Sequence, residues 1–582
     1  MAPRKEVSLS LLSFLVLVLL ALGLGASYRL PQLGMRPMHT DEAILGTKLG
    51  EFWNTGHFQY DPKDFHGPAL HQVSILWGSL VGWGDPSTWT EADLRFVVAL
   101  CGLGVMLTTL LFHDALGRYG TVTAMLLTAA SPMMVFYSRY FIMEMLLVLL
   151  VALMLGSFWR YSQGGTRLWL LLGGCALGFQ HAAKETFVLN AGAVVAGWVV
   201  ARVLVGDFSP PRKGSGMSLG SASRKNSRPA RPWLWVLVPA ALISVASFSN
   251  GFRDWQPVLD SFTTYLNYLE RSGGSGHEKP WHYYLMLLVW HKDTLVWTEA
   301  GIVVLAVVGM LHSVVGEFKN TGRQAFLVFL SVYSLVLLAG YSILSYKTPW
   351  SILSTQHALT LLAGSGAAAL WQAMPGKMGR GVFNLLLAAG VWHLCNQSIR
   401  LTGTHANPQF EYSADPRNPY VYSHTQKSLL KLMGEVQTYV KEHPEGTSIQ
   451  VISQDAGWPL PWYWRTWPKV GYQTQVPENL DADVIVADAD FYDAIKAKIP
   501  AGEFIERSPF GLRPGVIMTL FMRKPQPAPI PVPVPAVPPA GASAEAEPET
   551  PVKPPEGTLM APLPALNPVL PSFPGLPVPT KP

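Results

Sequence analysis

The chain is 582 residues long, 49% hydrophobic and only 14% charged, against roughly a quarter charged in soluble proteins. With 20 Trp and a net charge of +5 it has the make-up of a polytopic membrane protein, and no electrostatic footprint for nucleic acid. The three cysteines, Cys101, Cys175 and Cys395, all fall in apolar stretches, which argues against a disulfide framework and a Cys-ligated metal site.

A short basic segment, Met1 to Lys5, precedes an apolar run from Leu9 to Ala26. The run approaches the roughly 20 residues that span a bilayer, and many spans follow, so it reads as an uncleaved first span. Further apolar windows predict spans near 94–113, 121–138, 141–159, 168–183, 186–205, 233–250, 297–312, 325–345, 352–373 and 382–400. With the first, near 8–28, the windows predict about 11 transmembrane helices. With Met1 on the cytoplasmic side, every predicted inner loop is basic: Arg118, then Arg160 and Arg167, then the loop 206–232, then Lys319 with Arg323, and Lys377 with Arg380. That is the positive-inside pattern. Loop 206–232 is also rich in Gly, Ser and Pro and reads as flexible.

Two long outer segments remain, 29–93 and 251–296. Within them, Pro68 to Trp83 and Trp281 to Trp290 read as amphipathic helices lying at the interface. Residues 403–523 change character and predict a small extracytoplasmic α/β domain. It has a helix over 428–441, strands over 448–453, 483–487 and 515–522, and a helix over 491–499. The Pro/Ala-rich tail, 524–582, reads as disordered and partly polyproline-like. Residues 1–402 form the membrane domain.

The chemistry-bearing residues gather on the outer side. Met38-His39-Thr40-Asp41-Glu42 puts two carboxylates just after the first span. Either is a candidate general base, and Asp41 also suits the N-cap of a helix starting near Glu42. His66, before the Gly67-Pro68 turn, suits contact with a phosphate or a sugar, or a plain turn before a helix. Arg139 suits phosphate, or a pair with Glu144. Lys184-Glu185 marks the next outer turn, where Lys184 suits a phosphate or snorkels at the interface. Tyr346-Lys347-Thr348-Pro349-Trp350 combines a cation, a hydroxyl and a stacking ring, or anchors a membrane boundary. Lysine and arginine used only as anchors would favour the inner side, so their convergence outside points to a shared site. The aromatic cluster Trp458 to Trp467 suits sugar stacking or domain docking.

Six segments in this order carry a family resemblance: Met38–Ala43, Phe65–Pro68, Tyr137–Phe141, Ala183–Thr186, Tyr346–Trp350 and Trp458–Tyr463. Over about residues 8–522 the chain resembles the GT-C superfamily of polytopic glycosyltransferases, the class of protein O-mannosyltransferases and aminoarabinose transferases. Within it, the chain is closest to a bacterial and archaeal branch described as flippase-activity-associated proteins. It departs from many members at residues 66–68, His-Gly-Pro in place of a Pro-Pro pair. The resemblance implies a hexosyl- or pentosyltransferase in the plasma (inner) membrane, its N-terminus cytoplasmic. The donor would be a polyprenyl-phosphate-linked sugar, and the acceptor a lipid, glycan or protein arriving from outside. It implies catalysis by Asp41 with Glu42, and lipid-phosphate or substrate binding by His66, Arg139, Lys184, Glu185 and Lys347. Some members use a divalent cation. His39, Asp41 and His66 are the residues that would hold one, but no spacing assigns a metal ligand. The alternative is a non-catalytic component that helps flip a lipid-linked glycan.

Overall fold

Ser10 accepts the N–H of Ser13 at 3.0 Å and starts α1 (Leu11–Arg29) in the computed structural model, which describes residues 9–63, 66–209, 231–270, 278–316, 318, 321–403, 412–443 and 446–525. Two helices, α2 (Thr40–Thr55) and α3 (Ala69–Val81), follow before the next apolar rod. α4 (Glu91–Thr108) opens on a reciprocal cap between Thr90 and Asp93. Gly117, at φ 72°, breaks helicity near the start of α5 (His113–Ala130), so α4 and α5 are separate rods. The short α6 (Pro132–Tyr137) leads to α7 (Glu144–Ser162), α8 (Arg167–Ala183), α9 (Phe187–Leu204) and α10 (Leu234–Phe248). Then come α11 (Gln256–Glu270), α12 (Tyr283–Val289) and a hairpin of β1 (His291–Asp293) and β2 (Leu295–Trp297). The rods α13 (Ala300–Val315), α14 (Thr321–Ile343), α15 (Leu353–Ala373) and α16 (Gly376–Thr402) complete the bundle.

Each of the eleven apolar windows holds a helix, and both interfacial segments are helical as expected. By length and composition, five described helical runs suffice to cross a membrane, the α4–α5 run counted as one. Leu12, Leu19, Val203, Val315, Ile343 and Leu385 are exposed on the rods, an apolar belt that suits lipid and not water. Between lipid-covered helices there is little hydrophobic drive, so close backbone approach has to supply the attraction. α15, buried along most of its length, does this with glycines. A methyl on Gly366 would strike Leu305 O, and one on Gly309 would strike Leu362 O.

The rods have two distinct ends. At the far end Arg118 donates to Leu9 O (2.8 Å) and Arg323 to Ala115 O (2.6 Å). The other end carries α2, α3, α6, α12 and the C-terminal domain; we call it the domain end. That domain contains α17 (Ser428–Glu442), β3 (Ile449–Ile452), α18 (Leu460–Tyr463), β4 (Val470–Gln473), β5 (Val484–Asp488), α19 (Tyr492–Lys496), β6 (Phe504–Arg513) and β7 (Val516–Arg523). The sheet order is β4-β3-β5-β7-β6, with β4, β3 and β5 parallel and β7 and β6 antiparallel additions. Leu429, Leu432, Val436 and Tyr439 form one face of α17 and pack on Val451, Val484, Val486 and Leu520. Two of the five strands, β4 and β6, go beyond the three expected. The Pro/Ala-rich tail beyond Pro525 and residues 210–230 of the basic loop lie outside the described residues.

Candidate active site

His39 sits at the N-cap of α2. Its Nδ1 accepts the N–H of Asp41 (3.0 Å), while Glu42 Oε2 accepts the N–H of His39 (3.0 Å). The cap gives two adjacent carboxylates opposite surroundings. The Asp41 side chain is 47% exposed at the helix start. Glu42 is fully buried, its Oε1 accepting from Arg95 Nε (2.8 Å), Arg36 Nη2 (3.2 Å) and Phe141 N (2.8 Å), and its Oε2 also from Arg95 Nη2 (2.6 Å). Burial alone would raise the Glu42 carboxyl. Arg95 and Arg36 outweigh it and hold it down at about 2. The remaining donors of Arg95 go to the carbonyls of Leu33, Arg36 and Pro37. Glu42 is therefore the anchor of a buried polar knot that fixes where α2 begins.

Arg139 also has its guanidinium occupied. Its Nη1 donates to the carbonyls of Tyr28, Arg29 and Pro31, and its Nη2 to Gln32, which satisfies the open C-terminus of α1. Arg29 in turn donates to Thr128 O and Ala129 O at the end of α5. The Arg139–Glu144 pairing weighed from sequence does not form. Residues 138–143 are a turn between α6 and α7, so helical spacing does not bring the two together.

Glu144 pairs instead with Lys184; both are buried. Its second oxygen, Oε2, is buried without a hydrogen-bond partner among the described residues. The pair lines a small cleft with Thr186, Tyr341, Trp350, Ser351 and Ser354. Next to Lys184, Glu185 bonds His66 Nδ1 at 2.6 Å. Burial opposes the Glu185 charge, but His66 beside it prevails and keeps the carboxyl below its usual value. Lys347 is buried, its Nζ donating to Lys279 O (3.0 Å) and to Leu344 O.

Trp350 joins these parts. It borders the Glu144–Lys184 cleft, and its ring lies 6.5 Å from His39, 5.8 Å from Tyr140, 6.0 Å from Tyr137 and 5.7 Å from Tyr422. One aromatic wall thus runs from the α2 start to the Lys184 turn. All seven expected site residues lie at the domain end; Asp41 and Lys184 adjoin this wall, Glu185 turns to His66, and Glu42 and Arg139 are enclosed in the framework behind it. Sequence reasoning missed Arg36, Arg95, Tyr422 and His424, and gave Glu144 the wrong partner.

The Trp458–Trp467 cluster docks the domain. Trp462 packs against Gly46 of α2, Tyr463 Oη accepts from Met38 N (2.8 Å), and Arg465 donates to Ser87 O and Trp89 O. Among the described residues no group of three or more His, Cys, Asp or Glu side chains is arranged to hold a metal ion. Both ring nitrogens of His39 are engaged, Nε2 with Tyr422 O at 3.1 Å.

No family model and no curated protein matches the chain. Solved structures do. ArnT from Cupriavidus metallidurans bound to undecaprenyl phosphate is similar over 88% of this chain and 98% of that one, with a TM-score of 0.55 at 17% identity. The apo state of that protein gives 0.53 at 15% identity, over 88% and 99%. At such low identity the likeness speaks for the fold alone: the chain has a polytopic α-helical membrane fold similar to that of ArnT, with a small C-terminal α/β domain.

Proposed function

We propose that the protein is an integral-membrane glycosyltransferase that moves a sugar from a polyprenyl-phosphate-linked donor to an acceptor at the domain end of the bundle. The observation that carries this reading is the contrast at the α2 start: a fully buried Glu42 clamp holding a half-exposed Asp41 carboxylate beside an aromatic wall. Undecaprenyl phosphate, the ligand of the similar ArnT structure, supports the donor class. The basic far end supports a cytoplasmic N-terminus and an extracytoplasmic C-terminal domain.

In this reaction Asp41 takes the proton of an acceptor hydroxyl as its oxygen attacks the anomeric carbon. The bond between that carbon and the lipid phosphate oxygen breaks, its electron pair leaves with the phosphate, and the configuration inverts. Lys184, Lys347 and His66 are the cationic or proton-bearing groups for the departing phosphate, where negative charge develops. Glu144 and Glu185 hold Lys184 and His66 in place. Glu42 and Arg139 act by fixing α2 and the end of α1.

The test is turnover by purified protein in detergent with a panel of undecaprenyl-phosphate-linked sugars, wild type beside Asp41→Asn. Removing a general base lowers the rate by about 10²–10⁴-fold, with undecaprenyl phosphate binding retained. Undiminished turnover in the variant removes the base assignment. Donor binding without any turnover, together with lipid translocation in vesicles, would move the protein to the non-catalytic flipping role.

A further inference from the structure

Three hydrogen bonds converge on the two residues that precede Thr40 and Asp41, and all three come from beyond residue 412. Met38 N donates to Tyr463 Oη (2.8 Å), Met38 O accepts from Thr425 Oγ1 (2.6 Å), and His39 Nε2 bonds Tyr422 O (3.1 Å). Met38 is fully buried, and His39 is 5% exposed. The linker that supplies Tyr422 and Thr425 is itself pinned in the bundle. Its Tyr420 Oη donates to the buried Glu299 (3.0 Å), and its Arg417 and Tyr420 carbonyls accept from Trp297 and Tyr137.

The His39 ring can be assigned from its partners. The amide of Asp41 can only donate, so Nδ1 is the acceptor, and Nε2 carries the proton that goes to the Tyr422 carbonyl. His424 packs on the same ring at 4.9 Å and Tyr140 at 5.3 Å. Burial pushes His39 below the usual imidazole value, against the pull of Asp41 and Glu42, which keeps Nδ1 free to accept. The 3.7 Å approach of Nδ1 to Asp41 Oδ2 is then not an ion pair.

We propose that His39 is the positioning residue for Asp41, and that the C-terminal domain and its linker, through Tyr422, Thr425 and Tyr463, fix the Met38–His39 segment and with it the place of the Asp41 carboxylate. The small domain is thereby a structural part of the reacting site and not an appended module. The inference rests on Asp41 being the base. A displacement of about 1 Å at a reacting group costs on the order of 10²-fold in rate, so loosening this grip acts on turnover more than on donor binding.

The full chain is tested as His39→Phe, as His39→Asn, which retains an N-cap acceptor, and as the paired Tyr463→Phe and Thr425→Val variant. With undecaprenyl-phosphate-linked sugars, His39→Phe is expected to lower kcat by about 10- to 100-fold with little change in the donor KM. His39→Asn recovers part of the loss, and the paired variant loses about 10-fold. Amide hydrogen exchange over residues 38–44 needs no substrate, and it should quicken in the paired variant. Unchanged exchange there, or wild-type kcat in all three, overturns the proposal. So does a loss confined to KM. Asp41→Asn run in parallel separates the failures. If it abolishes turnover while His39→Phe is normal, only the positioning role falls. If turnover survives Asp41→Asn, the base reading falls first and takes this one with it.

Discussion

At the far end of the bundle the charged side chains sit in water or at its edge. Arg160 pairs with Asp114 at 19% and 39% side-chain exposure, and Arg202 with Asp207 at 48% and 65%. At the domain end Arg29, Arg36, Arg95, Arg139, Glu42, Glu144, Lys184, Glu185 and Glu299 are all buried. Burying so much charge is costly unless the donors and acceptors find partners, and the knot around Glu42 finds five for one carboxylate. The difference teaches that charge at the two ends does different work. Far-end charge is solvated and suits a membrane surface. The buried charge of the domain end is framework, and the half-exposed Asp41 differs from it as a carboxylate held directly beside the Glu42 knot yet open to solvent.

The comparison breaks most visibly at Glu42. Glu42→Ala leaves Arg36 and Arg95 buried without their shared partner, which costs about 3–5 kcal/mol. Thermal unfolding in detergent should show a large drop, with Asp114→Ala as the far-end match. Equal drops in the two variants would erase the distinction between the ends. Acid comes next. The folded Glu42 carboxyl lies near 2, below its ordinary 4.5, so its contribution is complete above pH 4.5 and is lost as pH falls from there through about 2. The shift is worth on the order of 3 kcal/mol. Wild type should lose stability over that window while Glu42→Gln, weaker at neutral pH, loses less. Parallel pH curves for the two proteins would remove Glu42 as the acid-sensitive element.

Much of this fold was legible. Apolar windows located a described helix in each of the eleven places expected, although only five described helical runs are long and apolar enough to cross a membrane, and the expected strands 448–453, 483–487 and 515–522 located β3, β5 and β7. β4 was missed because Val470–Gln473 is short and only partly buried, and β6 because Ser508-Pro509 and a register shift interrupt its pattern. The site was legible as a set of positions but not as pairings. Arg95 lies 53 residues from Glu42 and reads as a charged residue near a helix start. Tyr422 and His424 lie in a stretch with no helix or strand period, and only the tertiary fold brings them onto His39.

The middle of the bundle, between the two ends, depends on shape and not charge. Gly366→Ala would push a methyl into the Leu305 carbonyl and separate α13 from α15, an overpacking cost of about 1–3 kcal/mol. The melting temperature should fall less than in Glu42→Ala and should not depend on salt. A salt-dependent loss would mean that charge reaches further into the bundle than the two ends suggest.

The smallest effect belongs to Arg160→Gln. Asp114 keeps its bond from Trp159 Nε1 (2.8 Å), and water reaches the carboxylate, so nothing is left buried and unpaired. Exposed ion pairs are worth about 0–1 kcal/mol and are screened by salt. Arg160→Gln should therefore melt close to wild type, with turnover intact because the pair lies at the opposite end from Asp41. Arg160 is also one of the positive charges of the far end, and under the proposed orientation such charges would act during insertion and not on the stability of the finished fold. A drop as large as that of Glu42→Ala would show that the far end is held by its ion pairs as firmly as the domain end, and the functional reading of buried charge would lose its contrast.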